Sequence, residues 1–381
     1  MSTINVKQAE GFVKPKYYEV GMNLTDTMFS GNFRGSRHFE SDMDDMLKRA
    51  KALNVEHMLL TGSDLDESKK TIELAEHYND LENSNPGNFP TLTTTVGVHP
   101  CSVTEFTKKS ETPESHINKL REVIRNGIES GIVKAFGEIG LDYDRLHYSP
   151  KEVQKEFFEL QLKLACEFEL PLFLHMRAAC DDFLDILLPF YLGTREDKLE
   201  LKNKNLLVHS FSGSVEELEK LIKYDHFYIS VNGCSLREES NLQAAKLIPL
   251  DKLMIETDAP WCEIKKTHAS YKYLTPCPNE FYPIEYELVS KDDDKKKNSG
   301  IQFNEFLPIP VLKSDKFEKI KNTNKEFVDK YCQDYSFKPM IKSRNEPCLI
   351  GLAAQIMSKL KDVKPEELIN ACYENSRKVF D

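Results

Sequence analysis

Apolar, strand-like runs alternate with amphipathic, helix-like segments along most of this 381-residue chain. Such alternation is typical of βα units, in which helices pack on the faces of a parallel sheet. Eight such units predict an α/β fold, a TIM-like (β/α)8 barrel. The predicted strands are Tyr17–Leu24, His57–Gly62, Leu92–His99, Val133–Leu141, Pro171–Arg177, Leu206–Phe211, Phe227–Gly233 and Leu253–Asp258.

Four of the predicted strands carry, at or near their ends, a side chain that can bind a metal ion. These side chains are Glu138, His175, His209 and Asp258. Barrels of this type carry their chemistry at the C-terminal ends of the strands, so we expect the four to share one site. A mixed set of nitrogen and oxygen ligands is typical of catalytic divalent cations. The set favours a metal-dependent hydrolase, although each residue alone would more simply be a hydrogen-bonded structural residue.

Composition agrees with a large folded protein of a reducing compartment. Hydrophobic residues make up 40% of the chain, and the formal net charge of -11 argues against a broad basic face for nucleic acid. A local cationic cleft is still compatible with this charge. The nine cysteines include no C-x-x-C pair, and neither a signal peptide nor a membrane-length apolar run is visible. We expect a location in the cytoplasm or nucleus and no contact with membranes.

The organisation predicted along the chain is a single barrel domain over residues 1–381. Residues 263–343 depart from the alternation and read as an insertion after the last strand, with a charge run at Lys291–Lys297. That run is most simply a solvated loop, and a substrate lid is the alternative. Helices at about 347–380 are expected to close the barrel. Two Ser-x-x-Glu sequences, Ser149–Glu152 and Ser214–Glu217, predict capping boxes, the first with Pro150 at the first helical position.

Several short motifs resemble the signatures of the TatD family of metal-dependent deoxyribonucleases, in the same order and with similar spacing. They are Gly137–Asp142 (GEIGLD), Pro171–Arg177 (PLFLHMR), Val208–Phe211 (VHSF), Glu256–Pro260 (ETDAP), Arg344–Pro347 (RNEP), Val96–Pro100 (VGVHP) and, as in the eukaryotic branch, Gly21–Asp26 (GMNLTD) with Thr61–Gly62. The resemblance covers nearly the whole chain outside the insertion.

The resemblance implies a TIM-like barrel of the metal-dependent hydrolase type, with Glu138, His175, His209 and Asp258 as metal ligands. It also implies a DNA substrate, cut hydrolytically with a divalent cation such as Mg²⁺, with Mn²⁺ or Zn²⁺ as alternatives. The expected activity is that of a 3′ to 5′ exonuclease. Endonuclease activity and RNA as a further substrate stay open. No protein partner is evident from the sequence.

One departure from the family pattern concerns the first strand. Many relatives carry His-x-His there, and the corresponding positions of this chain are Gly21 and Asn23. Glycine offers no ligand and asparagine a weak one, so a two-metal displacement is in doubt. Asn23 could orient water or substrate, or it could stabilise a turn.

Two further residues, and two of the candidate ligands, have open roles. His99, at the end of the third predicted strand, could contact a phosphate oxygen or assist proton transfer, or it could be a buried structural histidine. Arg177 shares a strand face with His175 and could hold a phosphate, or pair with a nearby acid. Asp258 could steer the proton of the attacking water as well as bind metal. The predicted catalytic residues are therefore Asp258, Glu138 and His99.

Two other functional classes are compatible with these residues. The same barrel and ligand set could hydrolyse a non-nucleic-acid ester or amide, because a fold does not determine a substrate. The missing His-x-His pair also leaves room for a binding protein with weakened catalysis. Arg344 and Asn345 are expected either to belong to the site or, more simply, to tie the last helices to the barrel rim.

Overall fold

The computed structural model describes residues 15–33, 35–37, 39–107, 112–277, 279–282, 302–313 and 337–381. Eight parallel strands lie side by side in chain order, which confirms the predicted barrel. They are β1 (Tyr17–Met22), β2 (Val55–Leu60), β3 (Thr91–Val96), β4 (Val133–Asp142), β5 (Leu172–Arg177), β6 (Leu206–Val208), β7 (Phe227–Val231) and β8 (Leu253–Ile255).

Strand β1 lies beside the segment that follows β8, so the barrel is nearly closed. The Asn23 amide donates a hydrogen bond to the Ala259 carbonyl at 3.0 Å. The Thr257 amide donates to the carboxylate of Glu19 at 2.9 Å. The first and last strands therefore meet along a seam that is held partly by a buried side chain.

A helix follows each of the first seven strands, as the amphipathic segments predict. These helices are α1 (Met43–Ala52), α2 (Leu65–Ser84), α3 (Pro113–Glu129), α4 (Lys151–Ala165), α5 (Cys180–Leu192), α6 (Val215–Leu221) and α7 (Glu239–Leu247). After the insertion come α8 (Ile350–Lys361) and α9 (Pro365–Phe380). In the described part of the chain, no helix is both long enough and apolar enough to cross a membrane.

The barrel interior holds its own apolar cluster below the strand ends. Each of several strands contributes an inward residue, and α9 adds Val379 and Phe380. Because side chains alternate along a strand, Phe173 in this cluster and His175 share one face of β5. The interior strand residues are Tyr18, Val20, Leu59, Ala135, Phe173, Leu207, Tyr228 and Met254. These apolar residues fill the barrel interior beneath the polar residues at the strand ends.

Strand β4 is irregular where it carries Glu138. Its register with β5 shifts between Phe136 and Ile139. Gly137 and Gly140 have φ values of 152° and 146°, which L side chains rarely adopt. A Cβ atom on Gly140 would lie 1.9 Å from the His175 carbonyl oxygen. Glycine thus lets β4 press against β5, and this places Glu138 beside His175.

A buried cluster of four charged residues ties α1 to the segment before α8. The guanidinium of Arg344 donates to both oxygens of Asp42, each at 2.7 Å, and to Glu346 at 2.7 Å. Arg49, in α1, donates to Asp42 at 2.9 Å and to Glu346 at 2.8 Å. Asn345 donates to the Thr257 carbonyl at 2.8 Å. Arg344 and Asn345 therefore tie the last helices to the barrel rim, the simpler of the two roles expected for them.

One predicted capping box is confirmed and the other is wrong. The Ser214 hydroxyl accepts from the Glu217 amide at 3.2 Å, and the Glu217 carboxylate accepts from the Ser214 amide at 2.8 Å. Helix α4 begins at Lys151 after Pro150, and no side chain of the described residues caps it. Ser149 is buried, and its hydroxyl donates to the Cys101 carbonyl at 3.4 Å. Contact with the loop after β3 has replaced the cap.

The described parts of the insertion include a small three-stranded sheet formed by Gln302–Phe303, Pro310–Leu312 and Met340–Ile341. The charge run at 291–297 lies outside the described residues, so its assignment as a loop or lid stays a prediction. The assignment of 1–381 to one barrel domain with an insertion at 263–343 likewise stays a prediction. The closing helices lie within the predicted 347–380 range.

Candidate metal centre

The structure brings most of the predicted site residues together above the interior cluster. Glu138 lies inside β4 and His175 inside β5, both near the C-terminal ends of these strands. His209 directly follows β6, and Asp258 lies in the loop after β8. These positions result from strand ends that meet at one rim of the barrel, as the sequence predicts.

One carboxylate oxygen, Oε1 of Glu138, is the centre of the cluster. It lies 2.6 Å from Nε2 of His209 and 2.9 Å from Nδ1 of His175. Nε2 of His99 lies 3.6 Å from the same oxygen. The Glu138 side chain is buried. His99 therefore belongs to this group of residues and is not an isolated core histidine.

A second carboxylate, Asp142, holds the far side of His175. Its Oδ2 lies 3.2 Å from Nε2 of His175, and Asp142 is fully buried at the end of β4. His175 thus stands between Glu138 and Asp142. Asp142 ends the Gly137–Asp142 motif but was not among the predicted site residues. Its spacing from Glu138 was the available signal, since residues four apart in a regular strand share a face.

His99 is oriented by the chain that follows it. Its Nδ1 accepts a hydrogen bond from the Cys101 amide at 3.0 Å. The proton of the neutral ring therefore sits on Nε2, the nitrogen that faces Glu138. Burial lowers the pKa of His99 to about 4. The ring is uncharged at neutral pH and can donate a hydrogen bond through Nε2.

Asp258 is held by a neighbour on each oxygen. Oδ1 accepts from the side-chain amide of Asn23 at 2.8 Å, and Oδ2 lies 3.1 Å from the thiol of Cys262. Asp258 has a φ of 53°, in the left-handed region. Asn23 therefore positions Asp258 in this structure, a contact that the sequence does not predict. A direct role of Asn23 toward substrate stays a prediction.

Burial and neighbouring charges shift the pKa values of several residues in the site. Burial alone would raise the pKa of Glu138, but the positive charge of His209 and the hydrogen bonds from His175 and His209 hold it well below its usual range. Burial opposes charge on His209, yet Glu138 raises the pKa of that ring well above its ordinary value. Burial raises the pKa of Asp258 to about 6. Buried carboxyl groups whose pKa values are shifted in opposite directions are typical of functional sites.

The residues present fit a divalent cation. Coordinating atoms of His99, Glu138 and His175 all lie within 4.8 Å of one another. Nδ1 of His209 is buried without a hydrogen bond to any described residue, since the carboxylate oxygen that faces it, on Glu256, is 3.6 Å away. Imidazole nitrogens and carboxylate oxygens together match the donor set of divalent metals. By its donor chemistry, the cluster suits a divalent cation.

The structure shows what lies beside Gly21, the first position of the absent His-x-His pair. A Cβ atom on Gly21 would lie 2.8 Å from Oε2 of Glu256. Glu256 is buried and accepts from Ser230 at 2.7 Å and from Asn232 at 2.9 Å. Nearby Glu19 is also buried, and burial raises its pKa to about 8. A buried carboxyl network therefore occupies the space that a side chain at position 21 would need.

Arg177 lies at the rim in contact with an acid. Its Nε donates to Asp144 at 2.8 Å, and 41% of its side chain is exposed. The structure thus contains the ion pair that was one alternative for this residue. Arg177 also lines a cavity of about 450 Å³ with Arg237 and Cys234. A phosphate contact by Arg177 stays a prediction.

The chain is similar to known proteins over nearly its full length. Residues 32–381 match the family described as TatD related DNase. A relative named deoxyribonuclease Tat-D from Schizosaccharomyces pombe is 38% identical, covering 98% of this chain and 97% of the relative. A protein of Erwinia tasmaniensis named 3′-5′ ssDNA/RNA exonuclease TatD is 33% identical over 64% of this chain and 80% of its own length.

A solved structure gives the same result for the fold. The structure, titled an uncharacterized amidohydrolase from Saccharomyces cerevisiae, superposes with a TM-score of 0.76 at 36% identity. It covers 96% of this chain and 100% of the solved chain. The motifs, the barrel and the full-length similarity agree, and the chain belongs to the TatD related DNase family.

Proposed function

We propose that this protein is a divalent-metal-dependent deoxyribonuclease that hydrolyses DNA phosphodiester bonds at the strand-end cluster. The observation that carries the proposal is the convergence of three imidazole rings on Oε1 of Glu138, at 2.6, 2.9 and 3.6 Å. Membership of the TatD related DNase family supports the deoxyribonuclease class. Glu138, His175, His209 and Asp258 would hold the cation.

The cation supplies Lewis acidity toward water and toward a phosphoryl oxygen. The residues of the chain supply position and proton transfer. Asp258 accepts a proton from the attacking water as well as helping to hold the cation, since a positioned carboxylate can act as a general base. Neutral His99 donates a hydrogen bond through Nε2. Arg177 at the rim binds a phosphate of the substrate strand.

The finer assignments follow from similarity and chemistry. We propose 3′ to 5′ exonuclease action, which the name of the Erwinia relative supports, with RNA and internal cleavage to be assayed alongside. Mg²⁺ is the proposed cation, with Mn²⁺ and Zn²⁺ as alternatives. With a net charge of -11, affinity for DNA comes from the site and a few rim cations, so binding is weak. We propose action in the cytoplasm or nucleus.

The test is hydrolysis of 3′- and 5′-end-labelled DNA by the purified protein with Mg²⁺ and with EDTA. A Glu138→Gln variant, which keeps side-chain size, is assayed at the same protein concentration. We expect Mg²⁺-dependent cutting that falls by roughly 10³-fold in the variant. The label pattern gives direction. Undiminished cutting by Glu138→Gln would reject this site, and cutting in EDTA would reject the metal.

Hydrolysis of a different bond is the second candidate function. The motivating observation is the close match to a solved structure titled an amidohydrolase. Small phosphodiesters, carboxylic esters and amides are therefore assayed in parallel with DNA. Turnover of an amide or ester, lost in Glu138→Gln and accompanied by no cutting of DNA, would favour this alternative. DNA binding without turnover of any substrate would favour a binding protein.

A further inference from the structure

Two cysteine thiols lie in contact beside the metal centre. The sulfur atoms of Cys234 and Cys262 are 2.8 Å apart, and the sulfur of Cys262 is 3.1 Å from Oδ2 of Asp258. Both cysteines are reduced and only partly buried. A disulfide bond is about 2.05 Å long. The two sulfurs therefore need to approach by less than an ångström to form one.

The backbone holds this pair in place. Cys234 follows β7 and Cys262 lies in the loop after β8. A Cβ atom on Gly233 would lie 1.9 Å from the Cys262 carbonyl oxygen, so only glycine permits these two loops to touch. The Cys234 amide donates to Asn232 Oδ1 at 2.8 Å. The close approach of the sulfurs thus follows from two anchored loops.

The pair is reachable by a small oxidant. Cys234 lines the cavity of about 450 Å³ that also contains Arg177 and Arg237. Cys262 borders a second cavity, of about 680 Å³, between the loop after β8 and the small sheet of the insertion. The dithiol therefore separates two spaces that small molecules can enter.

We propose that Cys234 and Cys262 are an oxidation site, at which a peroxide converts the dithiol into a disulfide. The disulfide removes the contact between the Cys262 thiol and the carboxylate of Asp258. One sulfur attacks the peroxide oxygen, giving a sulfenic acid and water. The second sulfur displaces the sulfenic hydroxyl as water and forms the S–S bond. The two thiols lose two electrons in all, and hydrogen peroxide is reduced to two waters.

Disulfide formation removes the thiol donor from Asp258. Oδ2 of Asp258 then loses its contact with Cys262 at 3.1 Å, while Asn23 still holds Oδ1. Loss of a partner that orients a metal ligand lowers metal affinity or activity by roughly 10- to 100-fold. The predicted consequence is reversible inactivation by peroxide. This consequence rests on the proposed nuclease function, whereas the disulfide itself does not.

The experiment treats the full chain with graded hydrogen peroxide, alkylates the remaining thiols, and maps disulfides by peptide mass spectrometry. DNA hydrolysis is measured on the same samples before and after dithiothreitol. Cys234→Ser is the test variant, and Cys277→Ser is the control because Cys277 is a half-buried thiol in the insertion that donates to the Tyr282 carbonyl at 3.7 Å. We expect a 234–262 disulfide and roughly tenfold reversible inactivation in wild type and Cys277→Ser. Cys234→Ser is expected to keep its activity under peroxide.

The outcomes separate the two claims. Free thiols at 234 and 262 under peroxide that oxidises Cys101 would overturn the oxidation site. A mapped disulfide with unchanged activity would overturn its effect on Asp258. Inactivation of Cys234→Ser equal to that of wild type would also overturn the proposal and move attention to another thiol. If no sample cuts DNA, the mapping still decides the disulfide, and only the proposed function fails.

Discussion

At the residue scale, Asp142 is placed to orient the ring of His175. Its carboxylate lies 3.2 Å from Nε2 of His175, whose other nitrogen faces Glu138. Carboxylates that contact metal-binding histidines fix ring orientation and raise ligand basicity. We expect Asp142→Asn to weaken Mn²⁺ binding by roughly 10- to 100-fold, as measured by isothermal titration calorimetry.

The chain offers a matched control two positions away. Asp144→Asn makes the same chemical change at a rim residue that pairs with Arg177 at 2.8 Å. Its Mn²⁺ affinity is expected to equal that of wild type. If both variants bind equally well, Asp142 has no role in orienting His175.

The pH dependence of cation binding follows from Asp258. A carboxyl group must be charged to bind metal, and burial raises the pKa of this one to about 6. The contribution of Asp258 to affinity is therefore full above about pH 7 and is lost as the pH falls through about 6. Between about pH 7.5 and 5.5 we expect an approximately fourfold loss from Asp258 alone. His209, whose pKa Glu138 raises, adds to the loss in the same direction.

Calorimetric titrations with Mn²⁺ at these two pH values measure the effect. Asp258→Asn cannot titrate and is expected to bind more weakly at both, with a smaller difference between them. An affinity that rises on acidification would contradict this sign. Equal pH dependence in the variant and wild type would assign the titration to another group.

Individual residues differed in how far the sequence could predict them. The placement of Glu138, His175, His209 and Asp258 at one rim of the barrel was predictable, because the C-terminal ends of parallel strands meet there. Their role as metal ligands stays a prediction. Asn23 and Cys262 were not predictable, since their contacts to Asp258 join segments that are remote in sequence or sharply turned. Asp142 had a signal in its spacing from Glu138, but spacing alone does not identify the partner.

At the element scale, β4 depends on glycine for its position. Gly140→Ala would put a Cβ atom 1.9 Å from the His175 carbonyl oxygen. We expect the free energy of unfolding to fall by about 3 kcal/mol or more, because β4 and β5 must separate. Urea unfolding followed by circular dichroism measures this loss.

The Gly131→Ala variant is the control, because it tests the cost of a positive φ without steric crowding of the added Cβ atom. Gly131 has a φ of 76°, but among the described residues no heavy atom would lie within 4 Å of a Cβ added there. Its substitution should cost only about 1 kcal/mol, the conformational penalty. A comparable loss in both variants would mean that crowding at Gly140 is relieved without separating the strands.

The elements themselves were largely predictable. Long apolar runs identified all eight strands, and amphipathic periodicity identified helices such as α1, α4 and α6. The predicted capping box at Ser149 is wrong because the Ser149 hydroxyl is buried and donates to the Cys101 carbonyl instead of capping the helix. The insertion's sheet was not foreseen, since strands of two or three residues carry no usable periodicity.

At the scale of the whole molecule, the buried cluster of Asp42, Arg49, Arg344 and Glu346 joins segments from both ends of the chain. Removing one member of a buried charge cluster leaves the others uncompensated. We expect Glu346→Gln to lower the free energy of unfolding by roughly 3–5 kcal/mol. Urea unfolding again gives the measurement.

An exposed ion pair provides the comparison. Asp181 pairs with Lys220 while 81% of its side chain is exposed, so Asp181→Asn should change stability by less than about 1 kcal/mol. A loss in Glu346→Gln no larger than that of Asp181→Asn would show that the buried cluster is dispensable. The cluster was not predictable as such, because no local pattern links Asp42 to Arg344.

The seam between the first and last strands can form only late in the synthesis of the polypeptide. The Thr257 amide, which donates to the Glu19 carboxylate, lies 238 positions later in the chain. At a synthesis rate of roughly 5–20 residues per second, the ribosome needs about 10–50 s to supply that partner. During this interval one edge of β1 has no strand beside it and can pair with another chain.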